Sequence, residues 1–293
     1  FDMHPSGVVS TPLLLGESGL FGIRTTPAEQ PSPVGMILLN GGMLPSVGPF
    51  RMNVDLAEAL SGLGAATLRL DQSGKGESPV RSELTPADAA LLDYDEALAN
   101  LQRCGVEQTI IAGLCSGAVD ALQIAALRES VVGLVLLDGY VEQTLRWHFH
   151  HRADRAALQA SRMLERVSKA ISMGPESLIE RLKSKLAADS VETEAPILTD
   201  YRDWETLDLR PIYARVLDRG VKVLSVFSGT FHPYNHQGQM VNFLGPGVDT
   251  HNLTEVFLSE ADHTYTTLRC RRLLLDTVLN WFDAEFPANP KKA

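Results

Sequence analysis

The 293-residue sequence predicts an α/β protein with a mostly parallel central sheet, helices on both of its faces and a helical segment inserted after the sixth strand. Three observations carry that expectation. Short apolar runs alternate with longer amphipathic segments from residue 34 onward, the order in which strands and crossover helices follow one another in a parallel sheet. The runs Val34–Leu39, Thr109–Ala112 and Val131–Leu137 are apolar at successive positions, so both of their faces are to be buried. The alternation then stops from Val141 to about residue 200, where helical stretches with charged outer faces replace it.

In order, Ser10–Leu15 and Leu20–Thr25 read as two strands around Gly16-Glu17-Ser18-Gly19, and Pro27, Pro31 and Pro33 mark an exposed link. The strand Val34–Leu39 follows and ends in Asn40-Gly41-Gly42-Met43. Arg51–Leu63 is an amphipathic helix stopped at Gly64, and Ala65–Leu70 is the next strand. Thr85 and Pro86 open a helix that runs to Cys104. Strand Thr109–Ala112 leads into helix Ala118–Leu127, and strand Val131–Leu137 ends at Asp138-Gly139-Tyr140. Within the insertion, Arg155–Ile171 and Pro175–Ala187 have helical spacing. The alternation resumes with helix Leu207–Asp218, strand Val221–Phe227, a helix-poor stretch Gly229–Thr250, strand Thr254–Leu258 and a C-terminal helix Leu268–Phe282. The expected division is a core of residues 1–140 and 206–293, interrupted by an insertion at 141–205.

The junction between the fifth strand and its helix reads Gly113-Leu114-Cys115-Ser116-Gly117. Glycine on both sides of one reactive side chain, between a strand and a helix, is the pattern G-x-S-x-G that lifts a nucleophile above a sheet. Here the lifted residue is Cys115. On these residues the chain resembles the α/β-hydrolase superfamily, and within it the branch with a cysteine nucleophile, such as dienelactone hydrolases and polyhydroxyalkanoate synthases. It is also similar to the small hydrolases associated with exosortase systems. The resemblance implies an α/β-hydrolase fold whose insertion after the sixth strand is a helical lid. Asp71-Gln72-Ser73-Gly74-Lys75-Gly76-Glu77-Ser78 resembles the D-x-R-G-x-G-x-S loop of that superfamily, with Ser73 where arginine is usual. Gly74-Lys75-Gly76 is not a phosphate loop, because Arg69 and Gly76 stand where that motif needs glycine and a hydroxyl residue.

The resemblance implies a set of working residues. His263, in Ala261-Asp262-His263-Thr264-Tyr265 after the last strand, takes the place of the catalytic histidine, with Glu260 at the usual glycine. A thiol needs such a base, because free cysteine has a pKa of about 8.5. The loop after the seventh strand, where an acid is usual, reads Ser228-Gly229-Thr230-Phe231-His232-Pro233-Tyr234-Asn235 and has none. Asp138, at the carboxyl end of the sixth strand, is the replacement, since the strand ends converge on one site. It would hold the His263 tautomer. The alternatives are that Asp138 caps the following helix or bonds a lid residue, leaving a Cys-His dyad. Ser116, with Gly42 or Met43, would supply the backbone N–H groups of an oxyanion hole.

These residues imply covalent acyl chemistry on an acyl thioester, an activated ester or a lactone, ending in hydrolysis or in acyl transfer. The donor is a small molecule, free or linked to a carrier or CoA. A non-catalytic relative that binds a small hydrophobic ligand is the rival of a different class. Tyr140, Trp147, Phe149 and Phe231 are candidates for lining the pocket, and core packing is their ordinary alternative.

The rest of the sequence narrows the partners. Lys plus Arg number 26 and Asp plus Glu 36, a formal net charge of -10, which gives no electrostatic footprint for nucleic acid or an anionic membrane. No apolar stretch reaches membrane-span length and no signal pattern opens the chain, so a cytoplasmic protein is expected. Cys104, Cys115 and Cys270 lack C-x-x-C spacing, which argues against disulfides and structural zinc. His148, His150 and His151 have no nearby ligand partners, and Pro233 separates His232 from His236, so no metal is expected, nor any cofactor. Asp262 is expected to serve its own loop. A homodimer is compatible with the sequence, which does not set the oligomeric state.

Overall fold

The computed structural model describes residues 7–144, 146–151 and 208–287. The chain divides into two units, Phe1–Thr144 with Asp208–Ala293, and Leu145–Leu207. Of the second, only the helical stretch 146–151 is described, with the buried Trp147 ring stacked on His151 at 4.7 Å and Phe149 exposed. The rest of the expected lid, including the helices read at Arg155–Ile171 and Pro175–Ala187, lies outside the described residues.

The first unit is built on an eight-stranded sheet. Its strands are β1 (Val9–Leu15), β2 (Leu20–Thr26), β3 (Val34–Leu38), β4 (Thr67–Leu70), β5 (Gln108–Leu114), β6 (Val131–Leu137), β7 (Lys222–Ser228) and β8 (Leu253–Leu258). Their order is β1-β2-β4-β3-β5-β6-β7-β8. The β1–β2 and β2–β4 pairs are antiparallel and all others parallel, so β5 lies inside the sheet between β3 and β6.

Successive residues of the central strands enter different cores, which is why they are apolar at every position. Met36, Leu38, Ile110, Ala112, Val135 and Leu137 face a core with α1 (Met52–Gly62) and the C-terminal helix. Ile37, Leu39, Ile111, Leu134 and Leu136 face the other, with α2 (Pro86–Gln102), α3 (Ser116–Leu127) and α4 (Arg210–Asp218). The period of two along a strand divides them. Helices therefore cover both faces. The Thr85 hydroxyl caps α2 by accepting the Asp88 N–H, as its position before Pro86 predicts.

Several elements differ from the sequence reading. Arg51 lies outside α1: it ends a short 3-10 turn, Pro49–Arg51, in which Phe50 and Arg51 both have positive φ, and α1 begins at Met52. The stretch Gly229–Thr250 contains a short helix, α5 (Gln239–Leu244), between Gly238 and Gly245, both at positive φ. The last helix, α6, runs from Leu268 to Glu285, one turn beyond the apolar signal at Phe282. Among the described residues no helix is long and apolar enough to cross a membrane.

Candidate active site

One residue separates β5 from α3, and that residue is Cys115. Its φ of 55° and ψ of -117° make the turn abrupt and lift its side chain above the carboxyl edge of the sheet. A non-glycine residue in this conformation costs of the order of 1–3 kcal/mol, which the surroundings must offset. Leu137 of the neighbouring strand takes the Cys115 N–H at 2.9 Å, and the Cys115 carbonyl accepts from Ala118 at 3.0 Å. A Cβ on Gly113 would run into the backbone of Gly117, and one on Gly117 into the carbonyl oxygen of Asn40. Both glycines are thus required by close backbone approach, with no room for a larger residue.

Asp138 is the first residue past β6 and is 1% exposed, also at positive φ, 45°. Its Oδ1 accepts the Ser228 N–H at 2.6 Å. Its Oδ2 accepts the Ser228 hydroxyl at 2.7 Å and lies 2.7 Å from His263 Nδ1. A carboxylate at that distance holds the proton on Nδ1 and leaves the other ring nitrogen unprotonated in the neutral imidazole. Hydrogen bonds to Asp138 and to Cys115 push the His263 pKa up to about 10, against the opposing effect of burial. His263 and Asp138, widely separated in sequence, are therefore hydrogen-bonded, and the Cys115 side chain acts on the same imidazole.

The loop carrying His263 is fixed from several sides. The His263 N–H donates to the Thr230 hydroxyl at 2.8 Å, and the Phe231 ring lies nearly parallel to the imidazole at 6.0 Å. Asp262 turns away and accepts from the N–H and hydroxyl groups of Thr264 and Thr266. It is a loop brace, as its position beside an inward histidine predicts.

The residues expected to bind an oxyanion also meet. The Gly42 N–H donates to the Ser116 hydroxyl at 2.9 Å, so it is already engaged. The turn Gly41–Leu44 is closed by Leu44 N–H donating to the Gly41 carbonyl at 3.0 Å. Among the described residues no protein group accepts the N–H of Met43 or of Ser116.

Of the other sequence candidates, Cys270 is buried and donates from Sγ to the Glu260 carbonyl at 3.4 Å, and Cys104 is half-buried. His236 is buried against Asn235, with Nδ1 2.8 Å from Oδ1. Tyr140 packs edge-on against Phe243 of α5. Trp147, Phe149, His148, His150 and His151 belong to the second unit.

No protein-family model matches the sequence, and no curated protein does. The similarity lies in the fold. Naproxen esterase from Bacillus subtilis is 14% identical, with a TM-score of 0.57 over 96% of this chain and 93% of its own. A chain from Klebsiella pneumoniae described as a dienelactone hydrolase is 14% identical, with a TM-score of 0.57 over 96% and 100%. A proline iminopeptidase-related protein from Thermus thermophilus is 20% identical, with a TM-score of 0.54 over 96% and 99%. The chain has the α/β-hydrolase fold.

The structure shows what stands at two places where the sequence departs from the usual α/β-hydrolase pattern. Where an acid is usual at the end of β7, Ser228 holds Asp138 through both its N–H and its hydroxyl. In the loop after β4, where Ser73 stands in place of the usual arginine, the Ser73 N–H and hydroxyl donate to Asp93 at 2.7 and 2.6 Å, and Arg81 reaches the same pair. The Arg81 guanidinium bonds the Ser73 hydroxyl at 3.1 Å, Asp93 at 3.0 Å, Glu96 at 2.8 Å and Ser18 at 2.9 Å. Neither Ser228 nor Arg81 was read from the sequence as belonging to the site's framework. Ser228 sits at a position that could have signalled it, whereas nothing local marks Arg81. Lys75 turns inward, donating to Gln72 at 2.9 Å and lying 3.9 Å from the buried Asp120, so its ammonium belongs to the framework under the loop.

Proposed function

We propose that this chain is an acyl hydrolase or acyltransferase of the cysteine-nucleophile branch of the α/β-hydrolases, acting through a Cys115-His263-Asp138 triad. The observation that carries the reading is the 2.7 Å hydrogen bond between His263 Nδ1 and Asp138 Oδ2, with the half-buried Cys115 on its strained turn acting on the same imidazole. A strained nucleophile beside an oriented base is the arrangement that nucleophilic catalysis uses.

His263 takes the proton of Cys115, and the thiolate attacks the acyl carbonyl to form a tetrahedral oxyanion held by backbone N–H groups. Collapse forms the Cys115 thioester and expels the leaving group, which takes the proton from the His263 imidazolium. In the second half, His263 takes a proton from water or another acceptor as it attacks the thioester, and the acid or transferred acyl product departs with Cys115 restored. Asp138 keeps Nδ1 protonated and stabilises the imidazolium in both halves.

A thiolate exchanges with another thioester at nearly balanced free energy, which favours acyl thioesters, carrier-linked or CoA-linked, over simple esters as donors. Activated esters and lactones follow, as the names of the esterase and dienelactone hydrolase neighbours suggest. The test is intact-protein mass spectrometry after incubation with a panel of acyl thioesters and activated esters, with Cys115→Ala beside the wild type. The expected result is an acyl adduct that requires Cys115. No adduct with any donor, and an unreactive Cys115 thiol, would leave a non-catalytic ligand-binding chain as the better reading.

A further inference from the structure

We propose that the Ser116 hydroxyl is a positioning residue, and that it makes Met43, not Gly42, the second backbone donor to the oxyanion. This rests on the acyl-transfer reading above. Ser116 is 5% exposed, and its Oγ accepts the Gly42 N–H at 2.9 Å. That bond ties the loop after β3 to the first residue of the nucleophile's helix, and it takes Gly42's only donor.

The rest of the turn is committed in the same sense. Leu44 gives its N–H to the Gly41 carbonyl at 3.0 Å, and the Leu44 carbonyl accepts Asn40 Nδ2 at 2.8 Å. Asn40 is itself held by Asp71, whose Oδ1 accepts from Asn40 Nδ2 at 2.9 Å and from the Ser46 N–H at 2.5 Å. Gly42 at a φ of 54° occupies the second position of this turn. In such a turn the closing bond uses the fourth N–H, and among the described residues no protein group accepts the third. The third residue is Met43. With the second N–H bound to Ser116, the third is the donor that remains for a substrate.

The inference separates two functions of one residue. The Ser116 N–H faces the oxyanion, and its side chain fixes where the other donor stands. Preorganisation of this kind matters because an oxyanion hole that is loose by about 1 Å loses much of its value.

The experiment compares two reactions of Cys115 in the wild type and in Ser116→Ala. Acylation by a thioester donor passes through an oxyanion, whereas alkylation by iodoacetamide is a direct displacement and does not. The expected result is that Ser116→Ala loses about tenfold or more in single-turnover acylation, toward the 10²–10³ seen when one donor is removed outright, while alkylation stays within about twofold. Acylation that stays within about twofold overturns the inference, and so does a loss of alkylation in the same proportion as acylation, since that reports a damaged nucleophile. A wild-type chain that is never acylated overturns the acyl-transfer reading and this inference together; a wild type that acylates beside an unaffected Ser116→Ala overturns this inference alone.

Discussion

Replacing Asp138 by asparagine tests the line of hydrogen bonds most directly, because it changes one atom and leaves the shape. The amide oxygen of the new side chain still accepts the Ser228 N–H, which Asp138 Oδ1 accepts at 2.6 Å. The amide nitrogen then stands where Oδ2 accepts from both the Ser228 hydroxyl and His263. The hydroxyl can rotate to accept. The imidazole cannot keep its Nδ1 proton against an amide N–H, so it adopts the other tautomer and presents an N–H to Cys115, with no lone pair to take the thiol proton. In a serine enzyme this substitution costs about 10⁴ in turnover. A thiol ionises more readily, so the expected loss in acylation rate at neutral pH is about 10²–10⁴, or about 3–5.5 kcal/mol of barrier. The assay is single-turnover acylation by an alkyl ester donor, whose alkoxide leaving group needs the imidazolium proton, followed across pH. In the wild type His263 keeps that proton up to about pH 10, and the alkaline limb falls there. In Asp138→Asn the limb moves down toward the ordinary imidazole value of about 6.5. The folded pKa lies above the unfolded one, so the contribution of His263 to stability is complete below about pH 6.5 and is lost as pH rises to about 10. Thermal unfolding of the wild type is expected to weaken over that interval, and less so in the variant. A variant that acylates within about threefold of wild type with an unmoved alkaline limb would show that Asp138 does not orient His263.

Other perturbations have equally specific outcomes. Gly117→Ala places a Cβ against the Asn40 carbonyl, and urea denaturation should show a loss of about 1–3 kcal/mol with acylation reduced by more than the loss of folded protein explains. Cys115→Ser keeps the turn but lowers nucleophilicity at neutral pH, so thioester donors should acylate it at least about 10²-fold more slowly; an equal rate would remove the thiolate from the mechanism. Arg81→Met leaves Asp93, whose side chain is 2% exposed, without its ion pair, and should cost about 2 kcal/mol by denaturation, less than the about 3–5 kcal/mol of a fully buried pair because the guanidinium reaches partly to solvent. An unchanged midpoint would mean that Ser73 alone satisfies Asp93.

The site was legible where chemistry and chain spacing coincide. Gly113 and Gly117 flank Cys115 at fixed offsets because each meets a particular piece of backbone, and that constraint is written locally. Asp138 could be picked from the end of an apolar run because parallel neighbours bring their carboxyl ends together. The reading of Ser228 stopped at the missing acid, because a hydroxyl's partner across two strands leaves no periodic trace. Arg81 and the bond between Gly42 and Ser116 were hidden for the same reason, since each links segments distant along the chain. Helix α5 escaped because six residues between two glycines hold less than two turns, too few for a period to show.

The contact between Ser228 and Asp138 bears on how such a site changes over evolutionary time. β6 and β7 are adjacent and parallel, so their terminal residues form two neighbouring seats, either of which can present a carboxylate to one imidazole. Whichever seat lacks the charge is best filled by a small hydroxyl residue, which donates to its neighbour and adds no second charge. Under the proposed triad, the acid and the hydroxyl that supports it occupy neighbouring strand ends, so the pair can be written in either order along the chain. Sequence comparison that looks for the acid at one seat alone will score such a chain as incomplete, although a carboxylate stands 2.7 Å from its histidine.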